Sequence, residues 1–325
     1  MGLLIEGKWH NDWYETSSTG GEFVRKDSQF RHQLGEPGFE VEAGRYHLFV
    51  SLACPWAHRT LIFHKLKALE SIVGVTVVDP RMLEHGWVFS EVSENNPIPD
   101  IDHLYQVYTM TDPDYSGRVT VPVLWDKKGR TIVNNESSEI IRMFNSAFSE
   151  LTGESLDYYP ESLRADIDKI NDLVYDDINN GVYRAGFATS QQAYEAAFNR
   201  LFGALDEVEK ILGQHRYLLG AQITEADWRL FTTLVRFDAV YYSHFKTNLK
   251  HIEDYPNISN YLRDLYQVPG IADTVDLDHI KTHYYVSQTT INPTQIVPAG
   301  PELDFSRTHD RDQTIDISVA DTAVL

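Results

Sequence analysis

The sequence is short of cysteine, of basic residues and of long apolar runs. A single cysteine in 325 residues excludes an internal disulfide framework, and no apolar run approaches the roughly 20 residues of a membrane-spanning helix. Lys and Arg number 28 against 48 Asp and Glu, a net charge of −20, which argues against nucleic acid or an anionic membrane as the main partner. The start of the chain shows no basic segment followed by an apolar block, so we expect no signal peptide and a cytoplasmic protein.

Length and composition favour a globular protein of two domains. The chain is long enough for two cores, and 42% apolar with 12% aromatic residues is typical of folded chains. Its patterns divide it into an extended arm over 1–44, an α/β domain over 45–147, a linker over 148–160, a helical domain over 161–270 and a C-terminal extension over 271–325. We expect the arm to be irregular, and the extension to lack helical periodicity and to end in a mobile tail past about residue 305.

The cysteine lies where a strand pattern gives way to a helix pattern. Tyr46–Leu52 is a short β-compatible run, and apolar residues recur at helical spacing after Pro55. Because proline is favoured at the first position of a helix, Cys54 is predicted to be the N-cap, where free N–H groups and the helix dipole stabilise a thiolate. The alternative is that Cys54 is a small buried apolar residue, the commoner fate of free cysteine.

The rest of the α/β domain is predicted from apolar runs and turn residues. Ile72–Val78 indicates a second strand, and a long loop follows over Arg81–Arg118. Two β-compatible runs, Val119–Trp125 and Thr131–Asn135, flank a short turn and predict a hairpin. A helix is predicted to open at Glu136.

The second half of the chain is predicted to be helical. Gln191–Phe202 and Asp206–Leu212 are amphipathic runs at helical spacing. Thr224 and Asp227 have the spacing of a capping box, so a further helix is predicted to begin there.

No metal site is predicted. Asp112 opens a segment that imitates a calcium loop, but the twelfth position of that loop is Val123, where a bidentate Glu is required. The 13 histidines show no metal-ligand spacing, and His58 and His64 are interpreted as residues of the first helix.

The order of strand, Cys-Pro, helix, Val-Pro, strand, Glu-Ser and helical half resembles a glutathione transferase. Several separated motifs are more specific and resemble the glutathionyl-hydroquinone reductases, the xi-class transferases. These motifs are Ala53–Arg59, Gly86–Phe89, Tyr115–Trp125, Asn134–Ile140, Asn180–Phe187, His283–Tyr285, Ile291–Pro293 and Ile296–Pro301. The resemblance implies a thioredoxin-like N-terminal domain, a helical C-terminal domain and a homodimer.

The residue three positions after Cys54 bears on the chemistry. Ala57 stands where a dithiol oxidoreductase carries its resolving cysteine, so a single-cysteine mechanism needs an outside thiol. Glutathione fits, because it can resolve a protein–glutathione disulfide.

The resemblance implies a glutathione site with members before the third strand and at the start of the next helix. In the family the proline at Pro122 is cis and exposes the backbone of Val121 to glutathione; the alternative is an edge-strand proline. Glu136 and Ser137 would hold the γ-glutamyl group, although first-turn residues are also favoured by the helix dipole alone.

Trp87 and Arg118 would also line the glutathione site by resemblance. An isolated Trp is more often a packing anchor, which is the alternative for Trp87. Arg118 would pair with a ligand carboxylate, and the net charge of −20 makes such a cation more necessary.

Tyrosines in the second half are the candidates for the hydroquinone site. By resemblance Tyr183 and Tyr284 border the hydroquinone and help to protonate the leaving aromatic, with Tyr285 and Tyr175 as further candidates. One departure from the family pattern is Gln288, where histidine is expected after Ser287.

The predicted function is reduction of glutathionyl-hydroquinones by glutathione through a Cys54–glutathione disulfide, with release of oxidised glutathione and no metal. The alternatives are an omega-like thioltransferase or dehydroascorbate reductase, and a non-catalytic glutathione-binding module on the same fold.

Overall fold

The structure is a computed structural model that describes residues 2–91 and 93–313. The chain divides into two compact units. Unit 1 comprises Met1–Tyr14, Arg25–Leu156 and Asp273–Ala299, and unit 2 comprises Glu15–Val24, Asp157–Ala272 and the chain from Gly300 onward. None of the helices among the described residues is both long and apolar enough to cross a membrane.

The strands formed by the described residues belong to unit 1. They are β1 Leu3–Ile5, β2 Lys8–His10, β3 Tyr46–Val50, β4 Gly74–Val77, β5 Gly117–Arg118, β6 Val123–Asp126 and β7 Thr131–Asn134. The α-helices of unit 1 are α1 Pro55–Leu66, α2 Leu104–Thr111, α3 Ser137–Ser146 and α4 Ser149–Thr152. Unit 2 holds α5 Arg164–Leu173, α6 Gly181–Gly186, α7 Gln191–Leu212, α8 Glu225–Arg236, α9 Tyr242–His244 and α10 Pro256–Tyr266, and α11 Leu277–Ser287 returns to unit 1.

A four-stranded mixed sheet in the order β4-β3-β6-β7 forms the centre of unit 1. The pair β3 and β4, joined through α1, is parallel, and β6 pairs antiparallel with both β3 and β7. All five residues of β3 and all four of β6 are buried, as expected for strands paired on both sides. This sheet confirms the thioredoxin-like fold class.

The N-terminal arm contains regular structure that the sequence did not predict. β1 and β2 form a hairpin, and β1 also pairs with β5. The two loop residues Glu6 and Gly7 both have positive φ, 48° and 71°, which is the type I′ geometry of tight hairpins. The Leu-Leu-Ile-Glu-Gly sequence of this hairpin was a usable signal, so the expectation of an irregular arm is wrong here.

The predicted long loop after the second strand is also wrong in part, because it contains α2 and β5. His103 caps α2: its backbone N–H donates to Gln106 Oε1 at 2.9 Å. Leu104, Val107 and Tyr108 are buried. Their spacing of three and four residues is helical, but two turns of helix are too short for a distinct periodic pattern.

The helices of unit 2 agree with the predicted helical half, with one difference. Gln191–Phe202 and Asp206–Leu212 are parts of the single 22-residue helix α7. The predicted capping box at α8 is confirmed, since Asp227 accepts from Thr224 N–H at 2.8 Å. Two π-helical segments, Val174–Asn179 and Phe237–Tyr241, interrupt the helical runs.

The C-terminal extension contains α11, so the expected loss of helical structure over 271–325 is wrong for this segment. Asp276 caps the helix by accepting from His279 N–H at 2.8 Å. Of the tail predicted to be mobile past about residue 305, the part beyond residue 313 lies outside the described residues. Before that point Arg311 is buried and donates to the carbonyl of Leu212 at 2.9 Å.

Candidate active site

A tight turn between β3 and α1 presents Cys54. Cys54 N–H donates to Ser51 O at 3.1 Å, and Ala53 N–H donates to Ser51 Oγ at 3.2 Å. Cys54 is the N-cap of α1, with φ −77° and ψ 119°, and Pro55 is the first helical residue. The predicted N-cap position is confirmed. The side chain is partly exposed, which argues against a wholly buried apolar role.

Two arginines pack against Trp56, two positions after Cys54, although the whole chain is acidic. The first turn of α1 carries no Asp or Glu. The guanidinium carbons of Arg59 and Arg25 lie 4.5 and 4.7 Å from the centroid of the Trp56 ring. A helix start without carboxylates in its first turn is an environment that favours a cysteine thiolate.

Val121 lies against the cysteine. The Cys54 Sγ and the Val121 carbonyl oxygen are 3.5 Å apart, and the Val121–Pro122 bond is cis. β6 begins at Val123, directly after Pro122, whereas the sequence predicted a strand from Val119. The alternative of an edge-strand proline is wrong, because β6 is paired on both sides.

Glu136 and Ser137 stand at the start of α3. Glu136 is the N-cap, and its Oε1 accepts from Ser138 N–H at 3.0 Å. Its Oε2 accepts from Ser28 Oγ at 3.2 Å. Arg59 Nη1 donates to Ser137 Oγ at 3.4 Å, so the buried Arg59 connects the cysteine helix with the start of α3. The structure therefore places Val121 against Cys54 and connects α1 with Ser137 through Arg59.

Trp87 packs against α11. Its ring stacks on His283, with centroids 4.8 Å apart and 18° between the planes, and it is 6% exposed. The predicted alternative of a packing anchor describes this contact, and a glutathione-binding role for Trp87 stays a prediction.

Arg118 holds the N-terminal arm. Its Nη1 donates to Asp12 O at 2.5 Å and its Nη2 to Trp13 O at 2.8 Å, and its guanidinium lies 4.4 Å from the Tyr14 ring centroid. Burial lowers the pKa of Arg118 from its ordinary value, yet a guanidinium remains charged at neutral pH. Pairing of Arg118 with a ligand carboxylate stays a prediction.

Two of the candidate tyrosines are in unit 1. Tyr284 and Tyr285 follow each other on α11 and are 1% and 5% exposed. The Tyr284 ring meets His283 edge-on at 5.2 Å. The residue after Ser287, where the family pattern differs, is the buried Gln288.

The other two candidates are in unit 2. Tyr183 on α6 is 7% exposed and lies in an aromatic cluster with Phe187, Tyr241 and Phe245, at centroid distances of 5.6, 6.0 and 5.5 Å. Tyr175 belongs to the first π-helical segment and is partly exposed. Contact of these tyrosines with a hydroquinone stays a prediction.

Two residues of this neighbourhood escaped the sequence analysis. Arg59 was not a candidate; it is buried in the structure, and its position five residues after the cysteine, within the helical run of an acidic chain, was the signal available in the sequence. His279 was not one either; its Nε2 lies 3.2 Å from Ser51 Oγ, in the cysteine turn. Among residues 2–91 and 93–313 no group of three or more His, Cys, Asp or Glu could hold a metal ion.

Comparisons with known proteins agree with this geometry. The glutathione S-transferase N-terminal domain matches residues 53–147, and the C-terminal domain matches residues 191–264. The glutathionyl-hydroquinone reductase YqjG of Escherichia coli is 56% identical over 96% of this chain and 99% of its own. PcpF of Sphingobium chlorophenolicum, with the same enzyme name, is 53% identical over 93% of this chain and 96% of its own.

Solved structures give the same result. The glutathione-bound structure of YqjG superposes with a TM-score of 0.88, covering 96% of this chain and 99% of that chain at 52% identity. A xi-class glutathione transferase from Natrialba magadii superposes with a TM-score of 0.91, covering 96% and 98% at 48% identity. This chain belongs to the glutathionyl-hydroquinone reductases, the xi class of the glutathione transferase family.

Proposed function

We propose that the protein reduces glutathionyl-hydroquinones to hydroquinones at the expense of glutathione. The observation that carries the proposal is the placement of Cys54: it caps α1, and its sulfur lies 3.5 Å from the carbonyl oxygen of Val121, which precedes a cis-proline. The family relationship supplies the substrate class. Because Cys54 is the only cysteine of the chain, no second protein thiol can resolve its disulfide.

The proposed reaction has two steps. The Cys54 thiolate attacks the sulfur of the glutathionyl thioether and forms a protein–glutathione disulfide. The aromatic carbon leaves with the electron pair of the broken carbon–sulfur bond and takes up a proton, which yields the hydroquinone. A second glutathione thiolate then attacks the glutathione sulfur of the disulfide, regenerates the Cys54 thiolate and leaves as oxidised glutathione.

Binding roles follow the chemistry of each group. We propose that the Val121 backbone pairs with the glutathione peptide and that Glu136 and Ser137 hold its γ-glutamyl end. A carboxylate for the ammonium group and a helix start for the carboxylate suit that end. Trp87 and Arg118 are proposed as further glutathione contacts.

The proton for the departing carbon needs a donor near the aromatic ring. We propose Tyr183 and Tyr284 for this role, since a phenol is neutral at pH 7 and can donate its proton. Tyr285 and Tyr175 are proposed as further hydroquinone contacts.

The test compares initial rates on three substrates, each with free glutathione: a glutathionyl-hydroquinone, a small disulfide and dehydroascorbate. The expected result is the highest kcat/KM on the glutathionyl-hydroquinone, with all activity lost in Cys54→Ala. Preference for the disulfide or dehydroascorbate would instead establish the omega-like function. Glutathione binding without turnover of any of the three would establish a non-catalytic module.

Assembly and compartment belong to the same proposal. We propose a cytoplasmic homodimer that binds neither nucleic acid nor membrane, in keeping with the acidic charge. Size-exclusion chromatography with light scattering is expected to give twice the chain mass of 37.3 kDa, and a mass equal to one chain would contradict the dimer.

A further inference from the structure

One face of α11 is polar and hydrogen-bonded to loops of unit 1. His279, His283 and Ser287 lie four residues apart and therefore share this face. Their partners are Ser51 Oγ at 3.2 Å from His279 Nε2, Pro80 O at 2.9 Å from His283 Nδ1, and Met82 N–H, which donates to Ser287 Oγ at 2.9 Å. The helix is thus fastened to the loops at successive turns.

The first of these contacts reaches the cysteine turn. Ser51 is fully buried, and it accepts from Ala53 through its hydroxyl and from Cys54 through its carbonyl. His279, 9% exposed, bonds to the same hydroxyl. The rotamer of Ser51, and with it the turn that makes Cys54 an N-cap, is therefore held by a side chain that is remote in sequence.

A second contact ties α1 to the segment just before α11. His58 Nε2, on α1, lies 2.8 Å from Thr274 Oγ1, just before α11 begins. α11 also carries Tyr284, five residues after His279 and about 7.5 Å further along the helix axis. One rigid helix therefore links the cysteine turn with a proposed proton donor.

We propose that His279 is a positioning residue, which sets the geometry of Cys54 relative to Tyr284 through its hydrogen bond to Ser51. The proposal rests on the function proposed above as far as turnover is concerned. The geometry of the cysteine turn does not depend on which substrate is used, so reactivity of Cys54 towards a small alkylating reagent tests it separately.

The experiment uses the full-length protein with His279→Leu, His279→Gln, Ser51→Ala and the double variant Ser51→Ala/His279→Leu. His64→Leu is the matched control, because His64 is buried in the same α1 but bonds to Val73 O at 2.7 Å, away from the turn. Two assays are used. The first measures the rate of alkylation of Cys54 by iodoacetamide, and the second measures kcat and KM for a glutathionyl-hydroquinone.

His279→Leu and Ser51→Ala are expected to slow alkylation about two- to fivefold, because the sulfur loses its place at the helix start. They are expected to lower kcat about 10- to 100-fold, since small misplacements of reacting groups are costly. The double variant should be no more impaired than Ser51→Ala, since His279→Leu removes only a contact that Ser51→Ala already removes. His279→Gln, whose amide can still reach Ser51, should recover most of both rates, and the control should keep both.

Wild-type alkylation and kcat in folded His279→Leu would overturn the proposal. So would losses that multiply in the double variant, or a Gln variant as impaired as Leu, because imidazole chemistry rather than the hydrogen bond would then be required. If His279→Leu does not fold, His279→Phe, which keeps an aromatic ring without the hydrogen bond, decides in its place. If alkylation is slowed in the variants as expected but the wild type does not turn over the glutathionyl-hydroquinone, the proposed substrate is refuted and the positioning role of His279 stands.

Discussion

Replacing Arg45 by Met is expected to destabilise unit 1 without changing the chemistry of the site. Arg45 Nε and Nη2 donate to the two oxygens of Asp126 at 2.9 and 2.6 Å, and both side chains are almost fully buried, 5% and 1% exposed. This bidentate pair connects the start of β3 with the end of β6. Glu40 and Glu42 also bond Arg45, but their side chains are 62% and 40% exposed, so they contribute little.

The expected loss in free energy of unfolding follows from the Asp126 carboxylate, which Arg45→Met would leave buried without its partner. Removal of one partner from a buried pair costs about 3–5 kcal/mol. Replacing both, as in Arg45→Met/Asp126→Leu, removes the stranded charge and is expected to restore most of the free energy of unfolding. The assay is urea denaturation followed by circular dichroism for the wild type, both single variants and the double variant.

The effect of Arg45→Met depends on pH with a definite sign. Burial raises the pKa of the Asp126 carboxyl, but hydrogen bonds from Arg45 and backbone N–H groups outweigh it and hold that pKa below the ordinary value. A carboxyl with a lowered folded pKa stabilises the fold above about pH 4 and loses that contribution as the pH falls through the folded pKa. The difference in free energy of unfolding between wild type and Arg45→Met should therefore become smaller as the pH is lowered. The reasoning would be refuted if Arg45→Met lowered the free energy of unfolding by less than about 1 kcal/mol. It would also be refuted if the loss in the double variant equalled the sum of the losses in the two single variants.

Two predictions concern the helical unit and the tyrosines. Gly186→Ala should lower the free energy of unfolding by about 1–3 kcal/mol, because the added Cβ would lie 2.2 Å from the Phe245 ring. Gly203→Ala is the control: an added Cβ there has no atom within 4 Å, so this variant should be neutral or stabilising in urea denaturation. Equal effects of the two substitutions would contradict the packing. Tyr183→Phe and Tyr284→Phe should each lower kcat/KM for a glutathionyl-hydroquinone about 100-fold. The same variants should reduce a small disulfide at the wild-type rate, since a thiolate leaving group needs no proton on carbon; equal losses on both substrates would exclude the proton-donor role.

The cysteine junction was predictable because its signals are local. Pro55 marks the first helical residue by its fixed φ and missing N–H, so Cys54 is identified as the N-cap without tertiary information. The same holds for the Thr224 and Asp227 capping box, where a three-residue spacing contains the hydrogen bond.

The elements that were missed are short or packed through polar contacts. The helix α2 spans two turns and the β1–β2 hairpin three residue pairs, too few for periodicity to be distinct. The helix α11 was missed for another reason: its buried face includes His279, His283 and Ser287, and hydrogen bonds replace apolar packing there. Apolar periodicity does not detect such a face, although the spacing of four residues between its polar members does.

Contacts between distant segments explain the rest. The Ser51 and His279 pair spans 228 residues, and the Arg118 contacts with the arm span more than 100. No local pattern indicates which of the 13 histidines meets the Ser51 hydroxyl, or which arginine meets the backbone of the arm. These contacts follow only from the folded chain.

The most direct test of the central claim is the intact mass of the protein after exposure to a glutathionyl-hydroquinone in the absence of free glutathione. The first step should then proceed and the second should not, because no outside thiol is present to resolve the disulfide. The predicted result is a mass increase of one glutathionyl group on wild type, reversed by added glutathione, with none on Cys54→Ala. Hydroquinone release without that adduct, or an adduct on Cys54→Ala, would contradict the mechanism.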